Sequence, residues 1–224
     1  MEYKQQMDDM INVINQHATS YAGGKKISRR VEYALEQTPR HKFVENLVGM
    51  IDPIDPYEDN PIQIGYEQTI SQPFIVAYMT EMLEIQPLHK VLEIGMGSGY
   101  QAAVLSELAE EIYTVERIPE LAQRTKQLFE TLKDYESIKV KVGNGVEGWK
   151  EHAPYDRIIV TAMANAMPNE LAKQLVDGGK MIVPIEGKLL LITKKKEIAG
   201  VPVLEQKNLI GVRFVPLIDN DSNK

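Results

Sequence analysis

Three glycines lie between two apolar stretches of the chain, where they could hold a ligand. Gly95, Gly97 and Gly99 follow the apolar stretch Val91–Ile94 and precede another that starts at Tyr100. Because glycine has no Cβ, the backbone can turn sharply here and approach a ligand closely. The free N–H groups at the start of a following helix would point at the same place. The spacing predicts a strand, loop and helix suited to a nucleoside cofactor, and a tight turn without any cofactor is the alternative.

The residues around the glycines narrow the choice of cofactor. A dinucleotide-binding loop has the pattern G-x-G-x-x-G or A, and the bulky Tyr100 stands where its third small residue belongs. The chain instead reads Glu-x-Gly-x-Gly-x-Gly from Glu93 to Gly99. This pattern resembles the first motif of S-adenosyl-L-methionine-dependent methyltransferases. The resemblance implies that Glu93 lies near the methionine end of that cofactor.

A second acidic residue, Glu116, ends the stretch Glu111–Glu116, one helix and one strand beyond the glycines. A carboxylate at such a strand end accepts hydrogen bonds from both hydroxyls of a ribose. A solvated glutamate at the end of a strand is the other interpretation. The glycine loop before it favours ribose binding.

Strand-like and helix-like patterns alternate through the middle of the chain and must position these residues. The alternation predicts a Rossmann-like α/β fold, with a central, mostly parallel sheet and helices on both faces. The predicted strands are Val91–Ile94, Ile112–Glu116, Ile138–Val142, Arg157–Thr161 and Met181–Ile185. Apolar residues at helical spacing predict one helix over Leu121–Leu132 and another over Leu171–Val176, the second closed by Gly178 and Gly179.

The two ends of the chain depart from this alternation. Leu189–Thr193 and Gly211–Leu217 predict strands joined without a helix, and therefore an antiparallel C-terminal end to the sheet. Residues 1–65 predict a mainly helical N-terminal extension that covers the cleft. Residues 66–224 form the predicted S-adenosyl-L-methionine-binding methyltransferase domain.

Composition argues against several classes of protein. The 224 residues carry a formal net charge of −7, which disfavours binding to nucleic acid or to an anionic membrane surface. The absence of cysteine excludes disulfides and a thiol nucleophile, and the four histidines are scattered, so we expect no metal. We find neither a long apolar span nor a signal-like N-terminus, and therefore expect a cytoplasmic protein, with a monomer as the default.

Several further motifs resemble one methyltransferase family in particular. Thr69-Ile70-Ser71-Gln72-Pro73, ahead of the glycine loop, is similar to a signature of the protein-L-isoaspartate O-methyltransferases. Other motifs of that family occur in the same order, and the resemblance extends from about residue 30 to residue 217. These motifs are Pro39-Arg40-His41-x-Phe43-Val44, Tyr57-Glu58-Asp59-Asn60-Pro61, Ala153-Pro154-Tyr155-Asp156 and Val212-x-Phe214-Val215-Pro216-Leu217.

The resemblance implies an enzyme that repairs damaged proteins and peptides. Such enzymes transfer the methyl group of S-adenosyl-L-methionine to the α-carboxylate of an L-isoaspartyl residue. The ester then collapses to a succinimide, which can reopen to a normal aspartyl link. The expected partners are isoaspartyl-containing proteins and peptides.

The same resemblance assigns roles to particular residues. Ser71 matches the serine that orients the substrate carboxylate and is the predicted catalytic residue, while Thr69, Ile70 and Gln72 are predicted to shape the substrate pocket. The predicted cofactor-binding residues are Glu93, Gly95, Gly97, Gly99, Glu116, Asn144 and Gly145. Asn144 stands where the family usually has an aspartate that meets the adenine amino group. An asparagine can still accept that hydrogen bond, and a simple turn residue that tolerates the left-handed conformation is the alternative.

Other departures from the family pattern keep two alternatives open. Glu67 replaces a glycine, Met96 a threonine and Asn165 a proline, and the link Glu186–Leu189 is shorter than usual. These changes are expected to border the cleft. One alternative is a carboxyl methyltransferase for another, specific target, and the other is a non-catalytic binding protein that keeps the scaffold. A nucleic-acid methyltransferase is disfavoured because the chain lacks a base-handling motif and a basic stripe.

Overall fold

A seven-stranded sheet with helices on both faces organises the chain, as seen in a computed structural model that describes residues 2–21, 23–44, 55–135 and 137–219. The helices are α1 (Glu2–Tyr21), α2 (Arg29–Gln37), α3 (Pro73–Met82), α4 (Tyr100–Ser106), α5 (Pro119–Leu132) and α6 (Asn169–Lys173). The strands are β1 (Ile62–Gly65), β2 (Gln68–Ile70), β3 (Lys90–Ile94), β4 (Glu111–Glu116), β5 (Lys139–Val142), β6 (Tyr155–Val160), β7 (Leu175–Ile185), β8 (Lys188–Ile198) and β9 (Val201–Gly211).

The order of strands across the large sheet is β5-β4-β3-β6-β7-β8-β9. The strands from β5 to β7 are parallel, and β8 and β9 add an antiparallel end. The predicted fold class is therefore confirmed. The chain leaves β3 toward β4 on one side and later returns to β6 on the other, and ligands bind at such a reversal of strand order.

Four predicted strands of the parallel region are confirmed with shifts of one or two residues at their ends, as is the helix over Leu121–Leu132. The fifth, predicted from Met181, is confirmed but begins six residues earlier, at Leu175. The helix predicted over Leu171–Val176 is wrong, because α6 ends at Lys173 and Leu175 already begins β7. Gly178 and Gly179 lie within β7, where the pairing with β6 is irregular. A Cβ on Gly179 would lie 2.8 Å from the carbonyl oxygen of Val176, so glycine serves a bulge rather than a helix end.

The predicted C-terminal strand Gly211–Leu217 is also wrong. The last strand is β9, which ends at Gly211, and the residues after it run along the cleft instead. Met163 holds this segment through two backbone hydrogen bonds. Its N–H donates to the Val215 carbonyl and its carbonyl accepts from the Leu217 N–H, each at 2.7 Å. Strand β9 was missed because it is an exposed edge strand rich in polar residues, which carries no apolar alternation.

The N-terminal extension is helical, as predicted, and α1 packs against α3. Its buried side chains include Met10 and Ile14. The predicted boundary after residue 65 falls in the turn of a two-stranded antiparallel hairpin, in which β1 pairs with β2. The division into an extension and a methyltransferase domain stays a prediction.

Candidate active-site cleft

A cleft of about 900 Å³, measured with its solvent-open part, lies beyond the carboxyl ends of the central strands. Six segments of the chain meet there: the β1–β2 turn, the glycine loop, the end of β4, the turn after β5, the end of β6 and the C-terminal segment. The cleft-lining residues include Tyr66, Glu67, Thr69, Gly95, Gly97, Glu116, Arg117, Ile118, Gly145, Thr161, Val215 and Leu217.

The glycine loop has the tight conformation that its spacing predicts. Gly99 caps α4 with φ +85°, and a Cβ there would lie 2.6 Å from the side chains of both Thr125 and Phe129. Two side chains fix the carbonyl groups of the loop: Thr125 Oγ1 donates to the Gly97 carbonyl and Thr161 Oγ1 donates to the Gly95 carbonyl, each at 2.7 Å. The backbone of Gly95 and Gly97 lines the cleft.

Glu116 links the glycine loop to the end of β4. Its Oε2 accepts a hydrogen bond from the Gly97 N–H at 2.9 Å, and its Oε1 accepts one from the Ile118 N–H at 2.9 Å. The side chain is buried yet lines the cleft. Each carboxylate oxygen keeps further acceptor capacity, so hydroxyl donors of a ligand could still bind.

Glu93 lies inside the sheet rather than in the cleft. Its side chain is fully buried, Thr114 Oγ1 donates to Oε2, and Oε1 has no hydrogen-bond partner among the described residues. Burial raises the pKa of Glu93 to about 8. Glu93 is not among the described residues that line the cleft. Its predicted contact with a cofactor stays a prediction. In the structure, Glu93 is part of β3, the strand that leads into the glycine loop.

Asn144 and Gly145 follow β5 at one end of the cleft. Gly145 lines the cleft, and a Cβ on it would lie 2.6 Å from Ile94. The Asn144 carbonyl oxygen accepts from the Val146 N–H at 3.1 Å, while its amide donates to Asp219 at 2.9 Å. Asn144 has φ −71°, so it does not need the left-handed conformation. The amide oxygen thus serves the local turn, while the amide nitrogen connects this turn to the C-terminal segment.

The predicted substrate residues line a second, smaller cavity of about 330 Å³. Thr69, Ile70 and Ser71 contribute to its wall. Four residues line both cavities, which therefore adjoin and are named the larger and the smaller end of the cleft: Thr69, Gly95, Gly97 and Thr161. Ser71 is half-buried, and its hydroxyl has no hydrogen-bond partner within the described ranges. It is available to a ligand.

Gln72 faces away from this cavity, toward Asp59. Its amide donates to Asp59 Oδ2 at 2.8 Å, and Asp59 Oδ1 accepts from the Phe74 N–H at 2.7 Å. His17 of α1 approaches the same Oδ2 to 2.7 Å. The acidic side chain therefore holds the start of α3, directly after Ser71. Gln72 supports the substrate motif from behind, and its predicted contact with substrate stays a prediction.

The loop that carries Asp59 is itself held by a buried arginine. Arg40 Nε donates to the Pro56 carbonyl at 2.8 Å, and Nη2 is 3.4 Å from the Asn60 carbonyl. The guanidinium lies 5.1 Å from the ring centre of Tyr100, and burial lowers the pKa of Arg40 to about 10. Arg40 therefore contacts the loop that carries Asp59, and Asp59 contacts Gln72 of the substrate motif.

The structure also reveals cleft residues that the sequence did not single out. Thr161, at the carboxyl end of β6, lines both cavities, and Arg117 and the segment Val215–Leu217 line the larger one. Thr161 stands at the end of a predicted parallel strand, and this position could have indicated its place in the cleft. The carboxyl ends of parallel strands meet at one edge of the sheet, where ligands bind. A family motif covers the C-terminal segment, but its apolar pattern predicts a strand and gives it no place in the cleft.

The departures from the family pattern fall in two groups. Glu67 and Met96 line the cleft, as expected. Asn165 and the turn at Glu186 are exposed and do not belong to the described cleft lining, so their place at its border stays a prediction.

Two further features bear on the kind of site. In residues 2–21, 23–44, 55–135 and 137–219, no cluster of three or more histidines and acidic residues has a geometry suited to a metal ion. None of the described helices has the length and apolarity needed to cross a membrane.

The strand order, the glycine loop and the acidic residue at the next strand end define a Rossmann-like methyltransferase fold. Comparison with known proteins is specific: the family "Protein-L-isoaspartate(D-aspartate) O-methyltransferase" matches residues 13–222. The chain is 50% identical over 195 residues to the protein-L-isoaspartate O-methyltransferase of Dictyoglomus turgidum, covering 85% of this chain and 84% of that protein. It is 47% identical over 186 residues to the enzyme of that name from Picosynechococcus sp., covering 82% and 80%.

Solved structures agree. One protein-L-isoaspartate O-methyltransferase superposes with a TM-score of 0.79 at 27% identity, covering 96% of this chain and 66% of that one. A structure from Plasmodium falciparum, described under the same enzyme name and in complex with S-adenosyl-L-homocysteine, shares the fold with a TM-score of 0.74 at 24% identity, covering 95% and 98%. The chain belongs to the protein-L-isoaspartate O-methyltransferase family.

Proposed function

We propose that this protein transfers a methyl group from S-adenosyl-L-methionine to the α-carboxylate of L-isoaspartyl residues in damaged proteins and peptides. The observation that carries the proposal is that the two ends of the cleft share part of their lining. Glu116 lines the larger end and Ser71 lines the smaller end, while Thr69, Gly95 and Gly97 line both. A cofactor and a carboxylate acceptor could therefore meet in one place.

The larger end of the cleft suits the cofactor. Glu116 presents a carboxylate with free acceptor capacity for ribose hydroxyls, and the loop carrying Gly95 and Gly97 offers its backbone at close range. Gly145 also lines this end and packs closely against Ile94 at the end of β3, where a side chain would not fit. We assign these residues to the cofactor, together with Gly99, which shapes the loop. Glu93 and Asn144 support that end from behind.

At the other end, Ser71 has the role of orienting the acceptor carboxylate. A hydroxyl donates a hydrogen bond to an anion, and that of Ser71 has no competing partner in the described parts of the chain. Thr69 and Ile70 complete the wall. Gln72 acts through Asp59, by fixing the turn that leads into α3.

The reaction asks little acid–base chemistry of these residues. A carboxylate with a pKa near 4 is already ionised at neutral pH, so no general base is required. S-Adenosyl-L-methionine, when bound, supplies a methyl group on a positively charged sulfur. The substrate oxygen forms a bond to the methyl carbon as the carbon–sulfur bond breaks, and the electron pair of that bond stays on sulfur. The residues contribute by aligning oxygen, carbon and sulfur.

The wider setting is part of the same proposal. We assign residues 1–65 to an extension that covers the cleft and residues 66–224 to the methyltransferase domain, and we expect a cytoplasmic monomer. The packing of α1 on α3 supports a role for the extension at the site. The net charge of −7 supports peptides rather than nucleic acid as substrates.

The test is the transfer of a labelled methyl group to a short isoaspartyl peptide and to its normal aspartyl twin. We expect base-labile label on the isoaspartyl peptide alone, because a carboxyl methyl ester is hydrolysed by base. Label on neither peptide, in a preparation that binds S-adenosyl-L-homocysteine, would refute repair of general peptides and favour a dedicated target. A folded preparation that also fails to bind S-adenosyl-L-homocysteine would favour a non-catalytic role.

A further inference from the structure

The turn between β1 and β2 brings an acidic side chain to the rim of the cleft. Tyr66 and Glu67 form this turn with φ of 53° and 57°, as in the tight turns that join two antiparallel strands. Arg124 Nη2 donates to the Ile64 carbonyl at 2.7 Å, and Gln68 Nε2 donates to the Tyr66 carbonyl at 3.1 Å. These contacts hold the backbone of the turn that carries Glu67.

Glu67 lies beside the predicted acceptor residues along the wall of the cleft. The consecutive residues from Tyr66 to Thr69 line the larger end, and Thr69, Ile70 and Ser71 line the smaller end. Four residues span at most about 14 Å, so Glu67 is within reach of a peptide residue a few positions from one held at Ser71.

The Glu67 carboxylate is also uncommitted. It is exposed, and the described part of the chain provides it with neither an ion-pair nor a hydrogen-bond partner. The other charged side chains that line the cleft are Glu116, which binds backbone N–H groups, and Arg117, at the end of β4. The β1–β2 side of the rim therefore carries a free negative charge.

We propose that Glu67 is a specificity-determining residue that favours isoaspartyl substrates with a lysine or arginine within about four residues of the damaged position, and disfavours acidic neighbours. The inference rests on the proposed function. An exposed ion pair contributes a modest amount, so the expected preference for a basic over a neutral neighbour is about two- to fivefold in kcat/KM. Most of the difference lies in KM, because the contact is remote from the reacting atoms.

The experiment uses three isoaspartyl peptides that differ only in one flanking residue, which is Lys, Gln or Glu. We expect kcat/KM of the wild-type protein to fall in the order Lys, Gln, Glu, and the differences to shrink at high salt. Glu67→Gln is expected to remove most of the preference, and Glu67→Lys to reverse it. The ratio between peptides is the readout, because any effect of Glu67 on the positively charged cofactor changes all three peptides alike.

Glu186 provides a matched control. It is an exposed glutamate with φ 47° in the β7–β8 turn and is not part of the described cleft lining. Glu186→Gln removes the same charge and should leave the peptide ratios unchanged. Equal kcat/KM for the three peptides in the wild type, or an unchanged ratio in Glu67→Gln, would overturn the inference while repair activity stands. Failure to methylate even the Gln peptide would refute the proposed function, and this inference with it.

Discussion

The two ends of the cleft are built in different ways. The cofactor end is formed inside the central sheet: Gly97 and Ile118 bond to Glu116, and Thr125 bonds back to the loop. The acceptor end depends on segments that are far apart in the chain. Ser71 directly precedes α3, the first turn of α3 donates a hydrogen bond to Asp59, and His17 of α1 contacts the same carboxylate. The difference teaches that cofactor binding and acceptor positioning should respond to different substitutions.

The largest effect is expected from Gly99→Ala at the cofactor end. The new Cβ would lie 2.6 Å from Phe129 and Thr125, in a residue with φ +85°. Left-handed strain and overpacking together should lower the free energy of unfolding by about 2–5 kcal/mol. Gly178→Ala is the control, because Gly178 has φ +80° with open space around it and suffers only the backbone strain, about 1–2 kcal/mol. Equal losses in urea denaturation would contradict the crowding that we infer for the loop.

Glu116→Ala should act on cofactor binding. It removes the acceptor for the Gly97 and Ile118 N–H groups and the predicted ribose ligand, so the affinity for S-adenosyl-L-homocysteine should fall by about 1–3 kcal/mol. Isothermal titration calorimetry measures this directly. Glu120→Ala, an exposed glutamate in the first turn of α5, should change the affinity little. An unchanged affinity in Glu116→Ala would remove Glu116 from the cofactor site.

Asp59→Ala should act on the other end. Loss of the contacts to Gln72, Phe74 and His17 frees the start of α3, and small displacements of a positioning group cost up to about 100-fold in rate. We expect kcat/KM for an isoaspartyl peptide to fall about 10- to 100-fold, with cofactor affinity within about twofold.

The exposed neighbour Glu58 supplies the control for Asp59, since Glu58→Ala alters only a 3.5 Å contact to Asn60. If Asp59→Ala weakened cofactor binding as much as turnover, the two ends would not be separable as described. Hydrogen exchange of the first turn of α3 should increase in Asp59→Ala alone, whatever the substrate.

Glu93 tests the stability of the sheet beneath the loop rather than either end of the cleft. Burial raises the pKa of Glu93 from 4.5 to about 8, so between these values the folded state binds more protons than the unfolded state. The free energy of unfolding should therefore fall as the pH rises from about 5 to about 8. Glu93→Gln removes this contribution. Relative to the variant, the wild type should lose at least about 1 kcal/mol over this range, because one pKa unit corresponds to 1.36 kcal/mol. Parallel stability curves would contradict a protonated Glu93.

The same contrast explains what the sequence could predict. The glycine loop and Glu116 belong to one short strand–helix–strand unit, so their spacing along the chain reports their spacing in space. The central parallel strands β3 and β4 were predictable from their apolar runs, which are buried on both faces of the sheet. Gln72 was assigned to the substrate pocket because a motif gives residue types and not directions, and only the fold shows that it faces Asp59.

Where the prediction of the fold was wrong, tertiary context outweighed local pattern. Leu175 and Val176 continue the apolar spacing of α6, yet pairing with β6 draws Leu175 into a strand. The apolar residues Val215 and Leu217 resemble a strand because they pack over the cleft, while β9 looks polar because it lies at the edge of the sheet. Neither outcome is encoded within a window of a few residues.

The most direct test of the two-ended cleft is Ser71→Ala, measured for both methyl transfer and cofactor binding. Loss of a hydrogen bond to a charged group costs about 1.5–3 kcal/mol, so kcat/KM for an isoaspartyl peptide should fall at least about tenfold. The affinity for S-adenosyl-L-homocysteine should stay within about twofold of the wild type, because one end of the cleft is left intact. Equal loss of transfer and of cofactor binding, or transfer at the wild-type rate, would contradict the assignment of Ser71 to the acceptor.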